Sequence, residues 1–143
     1  MNDSTWTWIS GSDTSNAEGS ESVPSARSAA IGWFDSIKQE LWLFGGQIFD
    51  SVFYNELWRY QVNGDVWTKI SGSGGDYPPG VYGQKGETTP GSIPGGRYNA
   101  AGWYDSTNQE FWMFGGYGVD SVNARGASSF YHLKQQITDC LQC

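Results

Sequence analysis

Few residues of this chain have types and spacing that could perform chemistry. Cys140 and Cys143 form a C-x-x-C pair near the last residue, and His132 is the single histidine among 143 residues. Zinc is held by four ligands, so one such pair with one histidine falls short of a metal site. We therefore expect no bound metal and no cofactor. The two cysteines leave the redox compartment open, and their role is not assigned.

Two arginines and three tyrosines are the candidate binding residues. Arg27 and Arg97 stand 70 positions apart in matching local sequence, and a guanidinium group binds a carboxylate well through its forked donors. The structural alternative is that each arginine binds backbone carbonyls or a nearby aspartate. Tyr77, Tyr82 and Tyr117 lie in glycine-rich segments, where exposed aromatic rings can stack on the faces of sugars.

No arrangement of residues predicts catalysis. The sequence has no Gly-x-Ser-x-Gly turn, no Walker phosphate loop and no His-Glu-x-x-His helix motif. The carboxylate pairs Asp35 with Asp105, and Glu40 with Glu110, are equivalents in an internal repeat. A catalytic group is needed once, so its repetition favours a role in the fold. We predict that the chain is not an enzyme.

The repeat itself explains where these residues occur. Arg27–Gly46 returns as Arg97–Gly116 at an offset of 70, whereas Trp6–Ser12 matches Trp67–Ser73 at an offset of 61. The segment between the matching blocks is therefore nine residues longer in the second copy, and such insertions are tolerated best in loops. A chain that repeats at this length is built from units that bury their apolar faces against one another.

Composition and charge narrow the class of protein. Aromatic residues make up 16% of the chain, charged residues also 16%, and glycine contributes 20 residues, which together favour β structure. The net charge of −7 argues against a nucleic-acid partner, because such a surface needs a basic stripe. No apolar run approaches the ~20 residues of a membrane span, and the first residues do not resemble a signal peptide. We expect a soluble chain without membrane insertion, in an unknown compartment.

Four short strands are predicted for each repeat from runs of aromatic and branched residues bounded by turn residues. In the first complete copy they are Ser28–Phe34, Glu40–Phe44, Asn55–Gln61 and Val66–Ser71. The second of these is apolar on both faces, which predicts a central strand of a sheet that is packed above and below. The third mixes apolar and charged residues, so we expect it to be less buried and nearer the sheet edge.

Further strand copies flank this unit. Thr5–Ser10 matches the fourth strand, and Ser129–Leu133 aligns with Glu56–Tyr60 if three extra residues enter the preceding loop. Between the repeats, Ser71–Arg97 contains nine glycines and four prolines, which predicts a long loop with little regular structure. Such a loop is either a tolerated insertion or a functional segment.

These motifs resemble the kelch repeat: a first strand preceded by Arg, a second ending in a glycine pair, a third ending in Tyr, then a Trp. The residues that carry the resemblance are Arg27, Gly45, Gly46, Tyr60 and Trp67, then Arg97, Gly115 and Gly116, with Trp42 and Trp112 in the second strands. The resemblance implies an all-β fold of four-stranded antiparallel β-propeller blades, here about two of them. It divides the chain into a strand of a preceding partial blade (1–12), a first repeat (13–73), a degenerate second repeat (74–134) and a divergent tail (135–143).

The resemblance also implies a function. Kelch propellers act chiefly as interaction platforms, and the loops that join fourth to first and second to third strands commonly bind peptides. Here those loops are Gly46–Tyr54, Gly116–Ser128 and Ser71–Gly96, with Arg27 and Arg97 at the start of first strands. We predict a non-catalytic module that binds a protein or peptide and that self-associates to complete a propeller.

Two alternatives remain open at this point. One is a carbohydrate-binding propeller fragment that uses Tyr77, Tyr82 and Tyr117. The other is a non-catalytic piece of an enzyme similar to galactose oxidase. Copper catalysis of that kind requires two histidines and a Cys–Tyr crosslink, and this sequence has a single histidine and places both cysteines outside the repeats.

Overall fold

Every helix or strand assigned to the chain is a β-strand over the residues that the computed structural model describes, which are 4–49, 51–120 and, for the backbone alone, 130–134. The strands are β1 (Ile31–Asp35), β2 (Glu40–Phe44), β3 (Gln47–Ile48), β4 (Val52–Phe53), β5 (Leu57–Gln61), β6 (Val66–Ser71), β7 (Arg97–Tyr98), β8 (Ala101–Asp105), β9 (Glu110–Phe114), β10 (Tyr117–Gly118) and β11 (Phe130–Lys134). All paired strands are antiparallel.

The first sheet contains β1, β2, β5 and β6 in that order. Its strands follow the order of the chain: short turns join β1 to β2 and β5 to β6, and residues 45–56, which contain the paired strands β3 and β4, join β2 to β5. The predicted bounds of β2 and β6 are confirmed. The turn after β1 is fixed by the Asp35 carboxylate, which accepts hydrogen bonds from the backbone of Ile37 at 2.9 Å and Lys38 at 3.1 Å.

The second sheet contains β8, β9 and β11, and it repeats the first three strands of the first sheet. Phe114 of β9 pairs with Phe130 of β11, as Phe44 of β2 pairs with Leu57 of β5. This register confirms the sequence alignment of the degenerate third strand, including the three inserted residues.

The two sheets pack face to face around an aromatic core. Ile31, Trp33, Trp42, Phe44 and Leu57 of the first sheet, with Phe111 and Met113 of the second, form one buried cluster. The Trp33 indole donates a hydrogen bond to the Trp112 carbonyl at 3.2 Å across the interface. A methyl group on Gly102 would lie 2.6 Å from Ile31 and 2.8 Å from Trp33, so this glycine lets the sheets approach closely.

The glycine pairs end β2 and β9 with the same backbone turn. Gly45 and Gly46 have φ values of 69° and 93°, and Gly115 and Gly116 have 69° and 86°, a region that side chains disfavour. In the first copy a β-carbon on Gly45 would overlap the Arg97 carbonyl oxygen. The predicted role of the pair, a sharp turn with a close neighbour, is confirmed there.

Three expectations about strands are wrong. Thr5–Ser10, predicted as a strand of a preceding partial blade, is not a strand, because it forms no ladder of backbone hydrogen bonds with any strand among the described residues. Residues 7–11 instead lie along a shallow groove beside Tyr60 and Trp67. The strand β2 is central, but only one of its faces is packed against another sheet among the described residues, and Leu41 on the other face is 41% exposed. The strand β5 is not an edge: it pairs with β2 and β6, which buries Leu57, Trp58 and Tyr60.

Candidate functional site

The described parts of the loops predicted to bind partners lie at one end of the two sheets; residues 121–128 of the predicted loop Gly116–Ser128 lie outside the described residues. Because Ile31, Phe44, Leu57 and Ser71 are aligned across the first sheet, the segments that precede β1, join β2 to β5 and follow β6 all leave from this end. Residues 72–96 form the predicted long loop, whose described regular structure is a bridge between Val81 and Ile93. We call this region the loop end.

Arg27 lies at the loop end inside a network of charges. Its guanidinium donates to Glu56 at 2.7 Å, to the Gly45 carbonyl at 3.0 Å and to the Ser25 carbonyl at 3.1 Å. It also covers the Tyr54 ring at 4.1 Å from the centroid. The arginine side chain is 4% exposed, so its donors serve the fold and offer little surface to a partner.

Glu56 is the centre of that network. Beyond Arg27, it accepts a hydrogen bond from the Trp58 indole at 3.1 Å and pairs with Lys69 at 2.9 Å. Burial alone would raise the pKa of Glu56, but the hydrogen bonds from Arg27, Lys69 and Trp58 outweigh it and hold the pKa below its usual value. The ionised carboxylate therefore ties the loop before β1 to β5 and β6.

Arg97 occupies the equivalent position in the second repeat and is completely buried. It donates to the Gly115 carbonyl at 2.9 Å and to the Gly95 carbonyl at 3.2 Å, which are the repeat counterparts of the carbonyls bound by Arg27. Its third contact is an ion pair with Asp120 at 3.9 Å. The hypothesis that Arg97 meets a partner's carboxylate does not fit this geometry; the structural alternative does.

Four aromatic rings form a cluster between the two sheets' loops, and we call it the loop-end aromatic cluster. Phe53 is 3% exposed and lies at its centre, 4.9 Å from Tyr77, 5.1 Å from Tyr98 and 5.7 Å from Tyr117 between ring centroids. Tilted and edge-to-face contacts between aromatic rings contribute more free energy than the burial of their apolar area alone. The structure thus brings together two of the three predicted tyrosines, and Tyr117 remains 41% exposed.

The third predicted tyrosine joins the site through a carboxylate. The Tyr82 hydroxyl donates a short hydrogen bond to Asp120, and Asp120 in turn faces buried Arg97. Tyr82 is 41% exposed, and its hydroxyl is held by Asp120. The polar chain from Tyr82 through Asp120 to Arg97 fixes the long loop against the second repeat.

The motif residues of the strands lie away from this site. The rings of Tyr60 and Trp67 are in tilted contact with centroids 5.1 Å apart, and the Tyr60 hydroxyl donates a hydrogen bond to Asp65 at 2.8 Å. Trp42 is buried in the core, and Trp112 lies parallel to Trp103 at 6.2 Å. Of these residues, Trp42 packs in the core between the two sheets, as the sequence predicted.

The site holds no metal-binding group among the residues that the structure describes: nowhere in that part do three His, Cys, Asp or Glu side chains converge. Cys140 and Cys143 lie outside the described residues, as does the His132 side chain. In the same part of the chain, no helix has the length and apolar character needed to cross a membrane.

Sequence reasoning missed Phe53, Tyr98, Asp120 and Glu56. Asp120 carried a signal, since Asp50-Ser51-Val52 recurs as Asp120-Ser121-Val122. Phe53 and Tyr98 gave no such signal, because the sequence does not distinguish an aromatic residue of a loop-end cluster from one in the core of a sheet.

A scan against protein-family models finds no match for this chain. A search of curated proteins finds no match either.

Proposed function

We propose that this chain is a kelch-type module that binds a peptide or protein segment at the loop end and has no catalytic activity of its own. The four-stranded meander of the first sheet, the partial copy packed on it and the glycine pairs support the blade assignment. The observation that carries the function is the loop-end aromatic cluster, which is anchored by buried Phe53 and keeps Tyr117 41% exposed.

The geometry favours an aromatic surface as the point of recognition. Tyr117 and Tyr82 are each 41% exposed, and rings that are held rigidly lose little entropy when a ligand covers them. Tyrosine is enriched among residues that dominate binding energy. The buried guanidinium groups of Arg27 and Arg97 bind carbonyl and carboxylate groups of the chain itself. Recognition of a partner's carboxylate by either arginine is therefore not part of the proposal.

The experiment uses a displayed peptide library selected against the full chain, followed by calorimetric titration of enriched peptides. Tyr117→Ala and Tyr82→Ala should each weaken binding by about 2 kcal/mol, roughly 30-fold, as expected for anchoring aromatic residues. Val62→Ala is the control, because Val62 is 43% exposed in the turn between β5 and β6 at the opposite end. Failure to enrich any peptide, or enriched peptides insensitive to both tyrosine variants, would refute the proposal.

Carbohydrate binding is the second candidate. The same exposed tyrosines favour it, since a sugar stacks on a flat ring. A glycan array probed with the full chain distinguishes the two: binding of defined glycans that Tyr82→Ala removes, without peptide enrichment, assigns the site to carbohydrate.

A further inference from the structure

The two faces of each sheet are chemically distinct, and the repeat copies both. The inner face of the first sheet presents Ile31, Trp33, Trp42 and Phe44 to the second sheet. Their counterparts in the second repeat, 70 positions later, are Ala101, Trp103, Trp112 and Phe114. They occupy the outer face of the second sheet, which points away from the first.

The face of the second sheet that contacts the first sheet also has its repeat counterpart on an outer face, that of the first sheet. The second sheet contacts the first through Gly102, Tyr104, Phe111 and Met113. Their counterparts at the same offset are Gly32, Phe34, Leu41 and Leu43, which form the outer face of the first sheet along β1 and β2. The chain therefore carries, on two separate outer faces, the two sides of the interface that already joins its own sheets.

Both outer faces are accessible. Phe34 and Leu41 are 43% and 41% exposed on the first sheet, and Trp103 and Phe114 are 44% and 47% exposed on the second. Large apolar rings that remain in contact with water at adjacent positions mark interaction surfaces.

Gly32 gives the most specific sign of a missing neighbour. A β-carbon on Gly102 would meet Ile31 and Trp33 within 3 Å. Among the described residues, the nearest atom to a β-carbon on Gly32 would be the Trp42 carbonyl oxygen at 3.8 Å. Glycine weakens a strand interior unless another group approaches closely. At position 32 there is space for such an approach, and no part of the chain that the structure describes fills that space.

We propose that the outer face of the first sheet in one copy of this chain packs on the outer face of the second sheet in another copy. Ala101 of one copy would then lie against Gly32 of the other, as Ile31 lies against Gly102 within the chain. The contact is heterologous, since two different surfaces meet, so it propagates until a ring closes. The surfaces lie on the sheets and not at the loop end, so this proposal stands independently of the proposed peptide binding.

Two variants block one face each. Gly32→Val places a branched side chain, compatible with a strand, in the open space on the first sheet. Ala101→Lys places a charge at the exposed start of β8 on the second sheet. Ile37→Asp is the control, because Ile37 is 63% exposed in a turn that belongs to neither face.

Sedimentation velocity over a concentration series measures the outcome. The full chain and Ile37→Asp should associate, and each face variant alone should sediment as a single chain. An equimolar mixture of Gly32→Val and Ala101→Lys should form a one-to-one dimer and nothing larger, because each supplies the intact face that the other lacks.

Three results would overturn the proposal: a full chain that stays monomeric at high concentration, face variants that associate like the control, or a mixture that does not form the dimer. Leu41→Asp provides a second variant on the first face, and near-ultraviolet circular dichroism confirms that each variant is folded. A folded Leu41→Asp that still associates fully would also contradict it.

Discussion

Arg27 donates to Glu56 at 2.7 Å with both side chains almost fully buried, and this pair joins the loop before β1 to the start of β5. Removing one partner of a buried ion pair leaves the other charge without compensation. Glu56→Gln should therefore lower the free energy of unfolding by about 3 kcal/mol, measured by urea denaturation. Glu87→Gln, at an exposed carboxylate, is the control and should change it by less than about 0.5 kcal/mol. Equal effects of the two substitutions would contradict the role of Glu56.

Because of the same carboxylate, we expect the free energy of unfolding to decrease at acid pH. The pKa of Glu56 is lower in the folded chain than its ordinary value of 4.5, so the unfolded chain binds the proton more readily. Its contribution is fully present above pH 4.5 and is lost as the pH falls through the lowered folded pKa. The difference in stability between the full chain and Glu56→Gln should shrink over that acid range. A difference that stays constant with pH would contradict the account.

Because of Tyr104, we expect the free energy of unfolding to decrease at alkaline pH as well. Burial, followed by the nearby negative charge of Asp35, raises the pKa of Tyr104 from 10.0 to about 12. The folded chain retains the phenol proton longer than the unfolded chain, so stability should fall as the pH rises from about 10 to about 12.

Tyr104→Phe is the variant that tests this. Phenylalanine already stands at the equivalent position 34, and no described group completes a hydrogen bond of good geometry with the Tyr104 hydroxyl. The substitution should be tolerated near neutral pH and should flatten the alkaline decline in melting temperature. An unchanged decline would assign the titration to another group.

The glycine pairs permit a matched comparison. Gly45 and Gly115 both have φ at 69°, so an alanine at either position incurs similar backbone strain of roughly 1–3 kcal/mol. A β-carbon on Gly45 would also overlap the Arg97 carbonyl oxygen, while one on Gly115 would meet no atom of the described residues within 4 Å. Gly45→Ala should therefore lower the denaturation midpoint clearly more than Gly115→Ala. Equal midpoints would show that the loops are not held against each other there.

The strand pattern was predictable because it depends on local sequence and on the repeat. The bounds of β2 and β6 and the alignment of Phe130 with Leu57 came from these signals alone. Strand pairing was not predictable in the same way. Thr5–Ser10 has the residues of a fourth strand, but a strand also needs a neighbour to hydrogen-bond with, and this segment pairs with none among the described residues.

The site was predictable in part for a related reason. The three tyrosines were found because glycine-rich loops expose aromatic rings, and two of them meet at Phe53. The burial of Arg27 and Arg97 was not predictable, because a charged residue beside a loop looks exposed until its carbonyl partners are placed. Those partners, at Gly45 and Gly115, are brought near only by the turn of the glycine pairs.

The packing of the two sheets is tested most directly by comparing Gly102→Ala with Gly32→Ala in urea denaturation, at concentrations where the chain is dilute. Gly32 faces open space, so alanine there should raise stability slightly, by about 0.5 kcal/mol. Gly102 faces Ile31 and Trp33, so alanine there should lower stability by about 1–3 kcal/mol through overpacking. Opposite signs at these two equivalent positions are the predicted result. The same change at both would contradict the face-to-face arrangement of the sheets.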